Sequence, residues 1–243
     1  MIRWQNDFFK QLTRCFYSGR LVTLVLPLSI VLGLSPAVSV LAQAPAPSSP
    51  QVEHRKTSKP YSGDLSTFEY KDRAKKLHVE RVMDILGISS GKTVADIGAG
   101  SGWFAVRAAK RVTPAGLVYA VDINPKAISY IQERVRRDGI PNLHTVLSKP
   151  DDPLLPAKSI DAVLLLKTYH EVAEPVGLLQ NLRQALRSKA RVGIIDRNGN
   201  GENHGVDRDT VVREAGQAGY TLIGEYDFVK SDGQDYFLVF KSD

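Results

Sequence analysis

The stretch Val94-Ala95-Asp96-Ile97-Gly98-Ala99-Gly100-Ser101-Gly102 constrains the fold more than any other part of the chain. A short apolar run, Thr93–Ile97, enters three glycines at alternate positions. The segment that follows, Trp103 to Val112, carries Phe104, Ala105, Ala108, Ala109 and Val112 at helical spacing. A strand that turns through glycines directly into a helix brings backbone close to whatever sits above the strand end. It also aims the free N–H groups of the helix start at an anionic part of a ligand, such as a carboxylate. Such a turn belongs to an α/β sheet whose ligands lie beyond the carboxyl ends of the strands.

The rest of the carboxyl-terminal part alternates in the same way. Val79, Val82, Met83 and Leu86 mark an amphipathic helix that Gly87 ends. Leu117–Ile123 reads as a second strand. Asn124-Pro125 caps the helix carrying Ile128, Ile131 and Val135, which Gly139 and Pro141 stop. Leu143–Leu147 is a third strand and Ile160–Leu166 a fourth, nearly all apolar as a strand covered on both faces must be. Pro175 opens a helix with Leu178, Leu179, Leu182 and Leu186, and Arg191–Ile195 is the fifth strand. A helix near Thr210–Ala218 then precedes strands Tyr220–Val229 and Asp235–Lys241, separated by Ser231-Asp232-Gly233. The expected fold is therefore a Rossmann-like, doubly wound, seven-stranded sheet, mostly parallel, with the last two strands an antiparallel pair at the carboxyl terminus.

The amino terminus has a different character. A basic stretch ending at Arg20 precedes Leu21–Ala42, which has no charged residue, and then Ala42-Gln43-Ala44. This is the order of a secretory signal cleaved after Ala44. Left uncleaved, the 22 apolar and uncharged residues match roughly 30 Å of hydrocarbon and would act as an anchor. Pro27, Gly33 and Pro36 favour the first alternative. Either way the bulk is expected to be exported, periplasmic or anchored facing outward, with membrane contact only through residues 21–42 if uncleaved. Residues 45–60 are Pro/Ser-rich and read as a linker, leaving 61–243 as one domain. The formal charge of +6 shrinks accordingly. Arg3, Lys10, Arg14 and Arg20 against Asp7 place half of it in the first 44 residues, and the remainder has no basic run interleaved with aromatics. A nucleic-acid partner is not expected. The lone Cys15 excludes an intrachain disulfide and a zinc site built on several thiolates.

The glycine spacing is G-x-G-x-G with Asp96 two residues before the first glycine, not the G-x-G-x-x-G of dinucleotide sites. A nicotinamide-dependent oxidoreductase is thereby disfavoured. Asp122, at the end of the second strand, has the position from which a carboxylate accepts both ribose hydroxyls of an adenosine. With these two stretches the sequence resembles the class I S-adenosylmethionine-dependent methyltransferases over about Tyr70 to Phe240: VADIGAGSG is similar to that family's first motif and YAVDINP to its second. The resemblance implies S-adenosylmethionine as cofactor. Asp96 and the Gly98, Ala99, Gly100 and Gly102 loop would border its methionine half, Asp122 would hold its ribose and Ile123 would lie against its adenine. An acid after strand three, Asp151 in preference to Asp152, would stand near the adenine amine.

Within the class the chain is most similar to the small-molecule branch labelled methyltransferase type 11 or ubiquinone/menaquinone-biosynthesis-like. The stretches that carry this are Leu154-Leu155-Pro156, Ile160-Asp161-Ala162-Val163 and Thr168-Tyr169-His170-Glu171-Val172 with Pro175; exported bacterial members form a sub-branch. Two positions depart from the pattern. Ser188-Lys189-Ala190 stand where members usually have Pro-Gly-Gly before strand five, and Lys167 stands where an acid or amide is common. A lysine there suits a sulfonium ligand only if it points outward or pairs with an acid.

Methyl transfer needs a base only for some acceptors. His170, following strand four, is the expected base, and Tyr169 and Glu171 would orient it or line the acceptor pocket; the alternative is that all three pack the loop. His204 follows strand five and is either a site residue or an exposed loop histidine. His170, Glu171 and His204 lack close ligand spacing, so no metal is expected. Tyr61, Phe68 and Tyr70 either form an aromatic lid or pack as a hydrophobic staple. The leading expectation is methyl transfer to a small-molecule or lipid-like acceptor; the alternative is an exported, non-catalytic protein that kept the nucleoside site.

Overall fold

A computed structural model describes residues 55–229 and 234–242. The segment read as signal or anchor, residues 45–54 of the linker and the Ser231-Asp232-Gly233 turn lie outside the described residues. Seven strands form one sheet: β1 (Thr93–Ile97), β2 (Leu117–Asp122), β3 (Leu143–Leu147), β4 (Ile160–Leu166), β5 (Leu186–Arg197), β6 (Tyr220–Tyr226) and β7 (Asp235–Ser242). Their order is β3-β2-β1-β4-β5-β7-β6. The first five pair in parallel, and β7 runs antiparallel between β5 and β6. The winding reverses direction between β1 and β4, so the crevice for a ligand opens at their carboxyl ends.

Alternation of side chains along the strands fills two cores. On β4, Ala162, Leu164 and Leu166 join one core, shared with helices α2 (Val79–Leu86) and α3 (Trp103–Val112) and with Ile131 of α4 (Pro125–Asp138). Val163 and Leu165 face the other, built with α5 (Pro175–Ala185) and α6 (Arg208–Gln217). Burying each such aliphatic side chain contributes about 1.5–3 kcal/mol, and only a strand apolar on both faces collects that on each side. Helix ends follow local chemistry. Asn124 accepts a hydrogen bond from Lys126 N–H at 2.9 Å with Pro125 in the first turn, and Gly139 closes α4 in the left-handed conformation. A short α1 (Arg73–Lys76) precedes α2.

Two expectations are adjusted. β5 begins at Leu186, not Arg191: Ser188-Lys189-Ala190 belong to the strand, and the β4–β5 register shifts between Ile160 and Ala162 to absorb them. The family's usual Pro-Gly-Gly turn is replaced by an irregular strand edge. The linker read through residue 60 is, from Arg55 on, attached to the domain. Ser58 is buried, its N–H donates to His170 O (3.2 Å) and its hydroxyl to Gly201 O (2.9 Å). The Arg55 guanidinium donates to Tyr169 O and Val172 O at 2.7 and 2.9 Å.

Candidate active site

The glycine loop is held over β1 by its neighbours. Gly98 N–H and Ala99 N–H both donate to Val121 O of β2, at 2.8 and 3.0 Å. Gly98 has φ +71°, and a Cβ there would collide with the Thr168 side chain. Thr168 in turn donates to Gly98 O at 3.3 Å. Gly100 has φ +55° and lines the cavity, where a Cβ would meet the Phe68 ring at 3.7 Å. One glycine is thus demanded by packing against the loop after β4, the other by access to the cavity above.

Two carboxylates lie beneath and beside the loop. Asp96 is buried and accepts Ala105 N–H at 3.0 Å, capping the first turn of α3; burial pushes its carboxyl up to about 7. Asp122 accepts Gly100 N–H and Asn124 N–H, both at 2.8 Å, through different oxygens, and burial also raises it from the ordinary carboxylate range. Each Asp122 oxygen retains acceptor capacity, because a carboxylate has about four lone-pair sites.

These residues wall a cavity of about 780 Å³. Asp96, Ile97, Gly98, Ala99 and Gly100 contribute from β1 and its loop, and Asp122, Ile123 and Asn124 from β2. Ile123 is 44% exposed, an apolar face of the kind a planar base covers. After β3 the wall is made by Ser148, Lys149 and Pro150. Asp151, expected near an adenine amine, is exposed and lies outside this wall; its carbonyl instead accepts from Asn181 of α5. The turn at Pro150 carries the next side chain past the cavity mouth. Tyr61, Phe68 and Tyr70 all reach the cavity, Tyr61 and Phe68 edge to face with centroids 4.8 Å apart. The three aromatics thus form part of the cavity wall, which Trp103 extends.

Lys167 has φ +58° and its ammonium sits 2.5 Å from Asp235 Oδ2 at the start of β7. The departure from the family pattern is therefore neutralised by an acid brought in by the antiparallel strand. Arg73, not singled out in the sequence, is buried on the cavity wall with its guanidinium 4.4 Å from the Trp103 ring centre. Its signal was hidden in the run Asp72-Arg73-Ala74-Lys75-Lys76, which reads as a solvated face.

The loop after β4 contains the largest revision. Tyr169, His170 and Glu171 form a single 3-10 turn, which sends successive side chains about 120° apart. Tyr169 is fully buried and donates its hydroxyl to Glu214 Oε2 of α6 at 2.9 Å; it faces away from the cavity. Burial and the Glu214 charge hold the phenol well above its usual range. A catalytic role for Tyr169 is thereby corrected to a structural one. His170 is also buried and absent from the wall, with Nδ1 at 2.8 Å from Asp196 Oδ1 and its N–H donating to Asp196 Oδ2 at 3.0 Å. Glu171 is the member of the three that lines the cavity. Its carboxyl is pushed up to about 7 by burial, against the attraction of His170 and a hydrogen bond from Tyr61 N–H. His170 Nε2 stands 3.8 Å from Oε1 of this cavity-lining carboxyl. His204 is exposed at the end of a loop, and its ring meets that of His170 edge to face at 5.7 Å.

Residues 94–189 match a family described as a methyltransferase domain. The protein-L-isoaspartate O-methyltransferase of Pyrococcus horikoshii is 26% identical over 95 residues, 39% of this chain and 42% of that protein. The demethylmenaquinone methyltransferase of Tropheryma whipplei is 30% identical over 112 residues, 46% of this chain and 44% of that protein. The chain thus spans less than half the length of either relative. The crystal structure of a SAM-dependent methyltransferase from Aquifex aeolicus superposes with a TM-score of 0.66 and 23% identity, covering 74% of this chain and 98% of that one. The chain shares with that methyltransferase structure a Rossmann-like, seven-stranded, mostly parallel fold.

Proposed function

We propose that the protein is an S-adenosylmethionine-dependent methyltransferase acting on a small-molecule or lipid-like acceptor, in a branch resembling the ubiquinone/menaquinone-biosynthesis enzymes. The observation that carries this reading is the cavity beside the glycine loop, bounded by Asp122 on one side and by an apolar, aromatic wall on the other. The residues present fit the cofactor. Asp122 has free acceptor sites for ribose hydroxyls, Ile123 offers an apolar face, and the glycine loop admits close backbone approach. Arg73 supplies the buried cation on the wall that suits a carboxylate.

S-adenosylmethionine supplies a methyl group activated on a cationic sulfur; the protein's part is alignment and exclusion of water. Orientation of reactants can contribute roughly 7–11 kcal/mol to such a displacement. Tyr61, Phe68, Tyr70 and Trp103 enclose the space in which the acceptor is held, and Glu171 gives it a polar end. The reading as a non-catalytic nucleoside binder rests first on export away from the cytosol, where S-adenosylmethionine is made; its second ground, the charge of Lys167, is met by Asp235. We further propose that residues 1–44 direct export, by cleavage or as an anchor, and that the domain works outside the cytoplasm.

Calorimetric titration with S-adenosylmethionine and S-adenosylhomocysteine tests the reading. Micromolar binding is expected, weakened at least tenfold in Asp122→Ala, followed by transfer of label from methyl-labelled cofactor to a member of a small-molecule panel. Absence of binding by well-folded protein overturns it.

A further inference from the structure

We propose that His170 Nε2, a carboxylate oxygen of Glu171 and a ring nitrogen of His204 together bind one divalent transition-metal ion, of the zinc class, at the polar end of the cavity. One potential ligand atom from each residue lies within 4.8 Å of the others, and His170 Nε2 is 3.8 Å from Glu171 Oε1. Ligands about 2.0–2.2 Å from a tetrahedral zinc stand roughly 3.4 Å apart, so small side-chain adjustments complete the geometry. The separation of 34 positions from His170 to His204 conceals this in the sequence; the parallel pairing of β4 with β5 brings the two following loops together.

The surroundings are those of a supported ligand set. Asp196 is fully buried and its carboxylate takes Nδ1 of His170 at 2.8 Å, which leaves the other ring nitrogen, Nε2, directed toward Glu171. A carboxylate behind a ligating imidazole is the usual means by which ring orientation and basicity are set. Ser58 fixes both imidazole loops at once: its N–H donates to His170 O, and its hydroxyl oxygen accepts His204 N–H at 2.9 Å. His204 is held there with φ +58°, a conformation a non-glycine residue rarely adopts. Charge also balances. Two neutral imidazoles, Glu171 and the Asp196 carboxylate behind them offset a divalent cation, whereas calcium and magnesium prefer oxygen ligands throughout.

Three protein ligands leave a coordination position for one outside group. Because Glu171 lines the cavity, that group comes from the ligand space. If the methyl-transfer reading holds, the acceptor would be of the class with a hydroxyl or thiol: held at the ion it would release its proton to solvent, and its oxygen or sulfur would form the new bond to the methyl carbon as the bond from that carbon to the cofactor's sulfonium breaks, leaving S-adenosylhomocysteine. Metal binding itself does not rest on that reading.

The test uses the full chain, purified without a histidine tag and stripped with chelator. It is titrated with zinc chloride by calorimetry and with cobalt(II) by visible absorption. One ion per chain at micromolar affinity or tighter is expected, with the intense visible bands of a tetrahedral nitrogen–oxygen cobalt site. His204→Ala and Glu171→Gln should each weaken binding at least about 100-fold, and Asp196→Asn roughly 10–100-fold. His204 is exposed, so its variant answers the question even if changes at buried His170 or Asp196 impair folding. No saturable binding of zinc or cobalt, or binding that persists unchanged in His204→Ala, overturns the proposal. S-adenosylhomocysteine is titrated in parallel with the stripped protein. Its binding without metal binding leaves the methyltransferase reading standing and sinks this one; the reverse outcome does the opposite.

Discussion

Tyr169→Phe separates a structural tyrosine from a catalytic one. The substitution removes one atom, the hydroxyl oxygen that donates to Glu214 Oε2 at 2.9 Å, and leaves the ring in its buried position. A buried hydrogen bond to a charged group contributes about 1.5–3 kcal/mol. Glu214 retains Arg55, whose Nε is 3.2 Å from Oε1, so a loss of about 2 kcal/mol is expected rather than the full cost of an abandoned carboxylate. For a chain of this length that lowers the melting temperature by roughly 4–8 °C. In a Glu214→Gln background the bond is between neutral groups, and the same substitution should cost only about 1 kcal/mol. The assay is urea unfolding followed by circular dichroism, with S-adenosylhomocysteine affinity and turnover measured on the folded variant and expected within about twofold of the parent. An unchanged urea midpoint together with a tenfold loss of turnover would refute the placement of Tyr169 in the scaffold.

Two further outcomes follow from the loop. Gly98→Ala should abolish both stable folding and cofactor binding, because the new methyl meets Thr168. Gly100→Ala should fold with a loss of about 1 kcal/mol but bind S-adenosylhomocysteine at least tenfold more weakly, since its methyl enters the cavity; unfolding curves and calorimetry read both. Asp96, raised to about 7, holds a proton in the folded state that the unfolded chain has already released above its ordinary value of 3.8. Its contribution to stability therefore declines as pH rises through that window, by up to roughly 1.4 kcal/mol per unit, and is level above it. Asp96→Asn keeps an acceptor for Ala105 N–H but cannot titrate, so urea midpoints between pH 4.5 and 7.5 should lose that slope; an identical slope in the variant means the native carboxyl is ionised throughout.

How much of this was legible in the sequence depended on the distance over which each feature is decided. β1, β3 and β4 fall on the residues expected, Thr93–Ile97, Leu143–Leu147 and Ile160–Leu166, because an unbroken apolar run bounded by turn residues has few other ways to be buried. The glycine loop and Asp122 are equally local, each lying at the end of one strand. Strand pairing, by contrast, carried β5 back to Leu186 through Ser188 and Lys189, whose polar side chains argued for a turn. The site beyond the two motifs was readable only in part. Tyr169, His170 and Glu171 were all visible as candidates, but adjacency in a tight turn does not say which side chain meets the cavity. That is settled by Glu214 and Asp196, which lie 45 and 26 positions away and claim the first two. Asp235 likewise neutralises Lys167 only because β7 inserts beside β5. Asp151 was misplaced for the opposite reason, since a chain direction set by Pro150 decided it within one residue.

The attachment of Arg55 and Ser58 has a consequence for the order in which the molecule is completed. Their hydrogen bonds close separations of 112 to 146 positions, far longer than the spans joined by the parallel strand pairs β1–β2 and β2–β3. Contacts of such separation repay their entropy only after the intervening chain is already compact. Refolding should therefore form the sheet and the glycine loop first and seat this amino-terminal clasp last. The imidazole-bearing loops after β4 and β5 would acquire their final alignment at that closing step, although the strands that position them are finished earlier. During synthesis the same residues leave the ribosome before any of their partners exist. They must wait, exposed, for almost the whole domain to follow.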